Sequence, residues 1–227
     1  MDDQNFSQED AAEWIRLIEA VKVSTRENDI YRMLSEWVNQ LQDSEVLEIG
    51  CGQGICSEHL DLIHHNYTGI DPSPFLIERA LQLYSTKNRR FTLANTYALP
   101  FADQKFAGAF SVSVWHLLAN LNQAAKELKR ILKSNGRFLI ITANPSSYSN
   151  WTSLYAESTL QGKRFEGKLQ NGLYDVLHLH SLDEIKASLT LAELQIENLI
   201  TFRNTPNNQH LYLAVYGKSL KLIGYRN

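Results

Sequence analysis

The 227-residue chain carries 22 Lys and Arg against 25 Asp and Glu, a net charge of −3, which gives no reason to expect nucleic acid as its main partner. No apolar run approaches the length of a membrane span, and the acidic, polar start "MDDQNFSQED" is not a secretory signal. The two cysteines, Cys51 and Cys56, are too few for a disulfide framework and lack the CxxC spacing of a redox or zinc site, so a cytoplasmic protein with reduced thiols, no membrane partner and no metal centre is expected.

Trp14, Ile15, Leu17, Ile18 and Val21 recur at helical spacing. A second helix is predicted from about Glu27 to Leu41, with Ile30, Tyr31, Leu34, Val38 and Leu41 on one face. Short apolar strands then alternate with helices: strand Val46–Ile49, helix Gly54–His64, strand Tyr67–Ile70, helix Pro74–Tyr84, strand Phe91–Ala94 and strand Ala109–Val114. Helix Asn122–Leu132 follows, ended by "KSNG", where Gly136 is expected to take the left-handed capping conformation. Phe138–Thr142 reads as a buried strand. "SLDE" from Ser181 is a capping box that opens a helix to about Leu194. Ile196–Phe202 and Leu211–Tyr216 read as strands joined closely enough to pair antiparallel.

This alternation predicts a parallel sheet with helices on both faces, with a ligand crevice at the carboxyl ends of the strands where strand order reverses. Glu48, the glycines Gly50, Gly52 and Gly54, Asp71, Asn95 and the stretch Ser111–His116 all fall at such ends. Three glycines at alternate positions after an apolar strand ending in a carboxylate suit close approach of backbone to a ligand. A dinucleotide fingerprint needs its third glycine where Ile55 stands, and the Lys and Ser/Thr of a triphosphate loop are missing.

"VLEIGCGQG" instead resembles the first motif of the class I S-adenosylmethionine-dependent methyltransferases. "YTGIDPSPFLIERA", "ANTYALPF", "FAGAFSVSVWHLL" and "AAKELKRILKSNGRFLIIT" resemble that family's later segments in order, so the likeness covers Val46 to Thr142. It implies a single Rossmann-like domain: a mostly parallel seven-stranded sheet with helices on both faces and a C-terminal antiparallel hairpin. Residues 1–41 would be a helical cover, 42–144 and 181–218 the core, and 145–180 an insertion forming a lid.

The resemblance also implies S-adenosyl-L-methionine as cofactor and S-adenosyl-L-homocysteine as product. Backbone N–H groups of Gly50, Cys51, Gly52 and Gly54, with the start of the next helix, would hold its carboxylate. Glu48 would face its ammonium and Asp71 its ribose hydroxyls. Asn95, in the place of the usual Asp, would face the adenine amine, with Ile70, Pro72, Ser73, Thr96 and Leu99 around it. Ser111 and Val112 close the fourth strand beside the cofactor. Tyr31 resembles an upstream aromatic that covers the methionine end, and equally suits the apolar core of its helix.

On the acceptor side stand Trp115, His116, Tyr148, Trp151, Tyr155 and His180. His116 is the expected general base, needed only if the acceptor must lose a proton. His178 and His180 form a pair without a third ligand, which is weak evidence for a metal. His59, His64 and His65 are read as surface residues. The aromatic insertion suggests a small organic acceptor, and Lys163, Arg164 and Lys168 would permit it to be acidic or form a solvated face. "NPSSYSNW" from Asn144 does not resemble the N-P-P-Y signature of enzymes that methylate nucleic-acid amines. Methyl transfer to oxygen or nitrogen is expected ahead of carbon. The rival readings are an NAD-dependent oxidoreductase and a cofactor-binding scaffold without catalysis.

Overall fold

The computed structural model describes residues 7–21, 29–41, 44–170, 172–203 and 210–220. Glu27 and Asn28, the predicted start of the second helix, and residues 204–209 of the last loop lie outside the described residues.

Helices α1 (Gln8–Val21) and α2 (Asp29–Asn39) precede β1 (Ser44–Ile49), β2 (His65–Asp71), α3 (Pro74–Tyr84), β3 (Arg89–Leu93) and β4 (Phe106–Val112). Helix α4 (Leu121–Ile131) leads into β5 (Leu132–Ala143), followed by α5 (Tyr148–Thr152), β6 (Tyr155–Gln161), β7 (Arg164–Leu169) and β8 (Tyr174–His178). The chain closes with α6 (Leu182–Leu191), β9 (Leu194–Phe202) and β10 (Tyr212–Ser219).

The main sheet has seven strands in the order β3-β2-β1-β4-β5-β10-β9. Strands β1 to β5 pair parallel, and β10 runs antiparallel to both neighbours. Strand order reverses between β1 and β4, which places a crevice at their carboxyl ends. Side chains alternate across this sheet as a period of two requires. Leu47, Phe138 and Ile140 join the core shared with α4 and α6, whereas Val46, Leu139 and Ile141 join the core shared with α2 and α3. The expected Rossmann-like sheet with its terminal hairpin is the observed one.

The capping box holds. Ser181 Oγ accepts from the Glu184 N–H, and a Glu184 carboxylate oxygen accepts from the Ser181 N–H at 2.9 Å. Ser181→Ala is expected to cost about 1 kcal/mol of stability, read as a lowered urea midpoint at unchanged m-value.

Three local expectations are corrected. The predicted helix Gly54–His64 is a single 3-10 turn, Ile55–Glu58, followed by bends. The Gly54 carbonyl accepts from both the Ser57 N–H at 3.1 Å and the Ser57 hydroxyl at 2.7 Å, the i to i+3 pattern of a tight turn and not of an α-helix. His65 starts β2 and is buried, and His59 stacks on Tyr31 with ring centroids 4.0 Å apart. At "KSNG" it is Asn135, at φ 61°, that turns left-handed, not Gly136. Asn tolerates that region, while a Cβ at position 136 would sit 2.9 Å from the Lys133 carbonyl oxygen. Finally, the insertion carries its own antiparallel sheet, β6-β7-β8, which the sequence reading assigned only as a lid.

Candidate active site

A cleft of about 450 Å³ opens at the reversal point, bounded by the ends of β1, β2 and β4, by α1, and by the β6-β7-β8 sheet. Glu48, the penultimate residue of β1, is 1% exposed and lines it. The chain then bends through Gly50 (φ 73°), Gly52 (φ 53°) and Gly54 (φ 84°). At Gly50 the bend passes so close to Val114 that a Cβ would enter its side chain. Gly54 serves packing: a Cβ there would meet Phe91 at 2.8 Å and Ala80 at 3.1 Å, and Gly54 does not line the cleft.

Hydrogen bonds tie this bend to the end of β2. The Gly50 and Cys51 N–H groups both donate to the Ile70 carbonyl at 2.8 Å, and the Gly54 N–H donates to the Cys51 carbonyl. The Gly52 N–H donates to Asp71 Oδ2 at 2.9 Å, and the Ser73 N–H to Asp71 Oδ1 at 2.9 Å. These N–H groups therefore fix the shape of the loop, which corrects the expectation that all four would cradle an anion. Each Asp71 oxygen keeps a lone pair for a further donor.

The two carboxylates are poorly solvated. Burial pushes Glu48 up to about 8, against the hydrogen bonds from Tyr67 and the Cys56 thiol, and the neighbouring Asp71 charge pushes the same way. Burial raises Asp71 to about 6, against the Ser73 and Gly52 donors. Burial also drives both cysteine thiols well above their ordinary range, so neither is a reactive thiolate. Both carboxyl groups bind protons more tightly folded than unfolded. They therefore make stability fall as pH rises, between 4.5 and about 8 for Glu48 and between 3.8 and about 6 for Asp71. The ligand-free chain is expected to melt at a lower temperature at pH 8 than at pH 5, and Glu48→Gln is expected to flatten that slope in a thermal scan.

Of the residues expected around the nucleoside, Pro72, Thr96 and Val112 line the cleft. Asn95 does not; its side-chain oxygen accepts from the Tyr97 N–H at 2.8 Å and shapes a turn. Ser111 is buried within β4 away from the cleft, and Ile70 and Leu99 belong to the core. Tyr31 does line the cleft.

At the far end stand His116, Trp151 and Tyr155. Trp151 packs between His116 and Tyr212, with ring centroids at 5.7 and 5.2 Å. Trp115 is a core residue, 3% exposed, because the 3-10 turn Trp115–Leu117 aims adjacent side chains to opposite sides. Tyr148 and His180 also stay outside the cleft, and His180 Nε2 contacts the Leu118 carbonyl at 2.7 Å. Among the described residues, no three His, Cys, Asp or Glu side chains come together as a metal site.

The ring of His116 is set as a donor. Its Nδ1 accepts from the Ala143 N–H at 3.2 Å and lies 2.9 Å from the Thr142 hydroxyl, which itself accepts from the His116 N–H. An accepting Nδ1 puts the neutral ring's proton on Nε2. Burial, with His180 nearby, pushes the imidazole down to about 3. The general-base expectation for His116 is corrected accordingly: the ring offers an N–H to an acceptor and is a weak base.

The sequence reading missed several walls of the cleft. Asp10, Trp14, Leu17 and Ile18 line it from α1, and Leu154, Asp175 and Leu177 from the insertion. The apolar stripe on α1 was visible at helical spacing, but a stripe does not say what it covers. Lys163 pairs with Glu184 and Arg164 with Glu166, and neither they nor Lys168 line the cleft.

Residues 47–140 match the methyltransferase-domain family. The chain is 27% identical over 127 residues to the O-methyltransferase rstn1 of Aspergillus nomiae, a match spanning 54% of this chain and 56% of that protein. It is 28% identical over 201 residues to a ubiquinone biosynthesis O-methyltransferase of Pseudomonas aeruginosa, spanning 82% of this chain and 81% of the relative. For several other curated relatives the match covers only about half of their length. A SAM-dependent methyltransferase structure from Aquifex aeolicus shares the fold at TM-score 0.65 and 16% identity, covering 95% of this chain and 100% of that one. With the seven-stranded order, the terminal hairpin and the glycine bend between two buried carboxylates in place, residues 47–140 carry the methyltransferase-domain pattern on a fold shared with S-adenosylmethionine-dependent methyltransferase structures.

Proposed function

We propose that the chain transfers a methyl group from S-adenosylmethionine to a small organic acceptor, at oxygen or nitrogen. The observation that carries this reading is the placement of two buried carboxylates, Glu48 and Asp71, on either side of a bend that no Cβ could follow at Gly50. A cation is what such a site lacks: burial holds Glu48 at about 8, and a bound ammonium would restore its charged form. Asp71 keeps acceptor capacity for a diol, and the cleft has the volume of a small-molecule site. The residues thus fit the cofactor of the family.

When bound, S-adenosylmethionine supplies a methyl group already activated by its sulfonium. The protein's part is to hold and orient. Asp71 would accept from the ribose hydroxyls, Glu48 from the ammonium, and Pro72 and Thr96 would flank the base. Trp151, Tyr155 and the apolar face of α1 also line the cleft and would shield a bound acceptor from water. His116 Nε2–H would fix the acceptor by a donated hydrogen bond. Alignment of this kind contributes roughly 7–11 kcal/mol to lowering a bimolecular barrier. The curated relatives named as O-methyltransferases support an oxygen acceptor without deciding it for this chain.

Calorimetric titration with S-adenosylhomocysteine and with NAD tests the reading. Binding of the former alone is expected. Binding of NAD alone would reject it, and cofactor binding with no turnover across a broad acceptor panel would favour a scaffold. Among the described residues, no helix is long and apolar enough to cross a membrane.

A further inference from the structure

The cleft has a charge character that the cofactor reading does not use up. Four carboxylates face the cleft as a whole, Asp10, Glu48, Asp71 and Asp175, and among the described residues no Lys or Arg does. Glu48 and Asp71 are absorbed by the cofactor reading. Asp175 is not. It lies on β8, in the sheet of the insertion, and its Oδ2 accepts from the Tyr155 hydroxyl at 2.9 Å. Its Oδ1 accepts from the Val176 N–H at 2.9 Å. Among the described residues no cation pairs with it, and each oxygen retains acceptor capacity.

The walls beside it are apolar and aromatic: Leu154, Tyr155, Leu169, Tyr174 and Leu177. A carboxylate held on a rigid strand by a phenol, in an apolar surround and without a counter-charge, is a receptor for a positively charged donor. Burial raises the Asp175 carboxyl above its ordinary value, the mark of a charge that lacks compensation. Tyr155 and Tyr174 line the cleft as well, and a cation gains from a nearby aromatic ring. An acidic acceptor would meet like charge at Asp175 and, among the described residues, no Lys or Arg in the cleft. The basic residues of the insertion, Lys163, Arg164 and Lys168, lie outside the cleft, with Lys163 paired to Glu184 and Arg164 to Glu166.

We infer that the acceptor is a small apolar molecule bearing a protonatable amine, and that Asp175, positioned by Tyr155, is the residue that selects it. The inference rests on the methyltransferase reading and names the substrate class for the same cleft. Anchoring through the ammonium suits methyl transfer to an oxygen elsewhere on the acceptor; transfer to that nitrogen requires it first to lose its proton, which the Asp175 carboxylate can accept.

The test is calorimetric titration of the chain, saturated with S-adenosylhomocysteine, against three probes of one shape: 2-phenylethylamine, 2-phenylethanol and phenylacetate. A charge-assisted hydrogen bond predicts that the amine binds at least about tenfold tighter than either other probe. Asp175→Asn, which keeps shape and loses charge, is expected to erase that preference while S-adenosylhomocysteine affinity stays unchanged. That unchanged affinity also shows that the variant is folded. If the variant does not fold, the ranking of the three probes on the unaltered chain decides alone. Equal affinities, preference for phenylacetate or phenylethanol, no binding of the amine, or a preference that survives in Asp175→Asn would each overturn the inference. Failure to bind S-adenosylhomocysteine at all would instead sink the methyltransferase reading on which it stands.

Discussion

Gly50→Ala is expected to lower the unfolding free energy by about 2–5 kcal/mol and to remove S-adenosylhomocysteine binding. Two separate costs add at this position. The residue sits at φ 73°, a left-handed conformation that costs an L-residue roughly 1–2 kcal/mol. A Cβ there would also overlap Val114, and overpacking a filled site costs about 1–3 kcal/mol. Relief requires the bend to move, and the bend carries the N–H groups that bind Ile70 and Asp71. Gly52→Ala separates the two costs. It has φ 53°, but the nearest atom to its Cβ is Trp14 Nε1 at 3.7 Å, an ordinary contact. Only the conformational cost of roughly 1–2 kcal/mol should appear there. Urea denaturation of both variants checks the pair; equal losses at the two glycines would refute the role given to Val114.

Asp71→Ala is expected to weaken S-adenosylhomocysteine binding by about 1.5–3 kcal/mol, or roughly ten- to a hundredfold. The carboxylate ends β2 beside the cleft, and its two oxygens are aimed by the Gly52 and Ser73 N–H groups. Those donors hold the side chain before any ligand arrives, so little ordering is left to oppose binding. The same donors make Asp71 part of the fold, so a loss of affinity could follow from a loosened loop. Asp71→Asn distinguishes these origins. It keeps one acceptor oxygen for the backbone and loses the charge, so stability should change less than affinity. Calorimetry alongside thermal melting reads both quantities, and unchanged affinity in Asp71→Ala would remove this residue from the site.

The sheet and the glycine-bend side of the cleft were legible because they rest on local pattern. Strand, glycine bend and carboxylate follow one another within a few residues, from Val46 to Gly54, and the crossovers of a parallel sheet leave little choice in what pairs with β1. The sheet of the insertion was not read, although Gly162, at φ 61°, leads a two-residue loop between β6 and β7 of the kind that marks a hairpin. β6 is almost wholly solvent-facing and β7 is half-buried along its length, so neither shows the apolar alternation that identifies a strand with one buried face. The donor role of His116 was illegible for another reason. It depends on Thr142 and Ala143, 26 and 27 residues away, and no local spacing encodes that contact. Asn95 shows the opposite error: family position suggested a ligand contact, while a neighbouring N–H takes its oxygen in a tight turn. Asp175 and the α1 wall became visible only once topology had brought both against the strand ends.

A crystal structure of the chain grown with saturating S-adenosylhomocysteine is the most direct check. The nucleoside should lie in the cleft with its ribose hydroxyls on Asp71, its amino group on Glu48 and its sulfur turned toward Trp151 and Tyr155. Density for the nucleoside elsewhere on the molecule, or a well-ordered cleft from which it is absent at that concentration, would contradict the assignment of these two carboxylates to the cofactor.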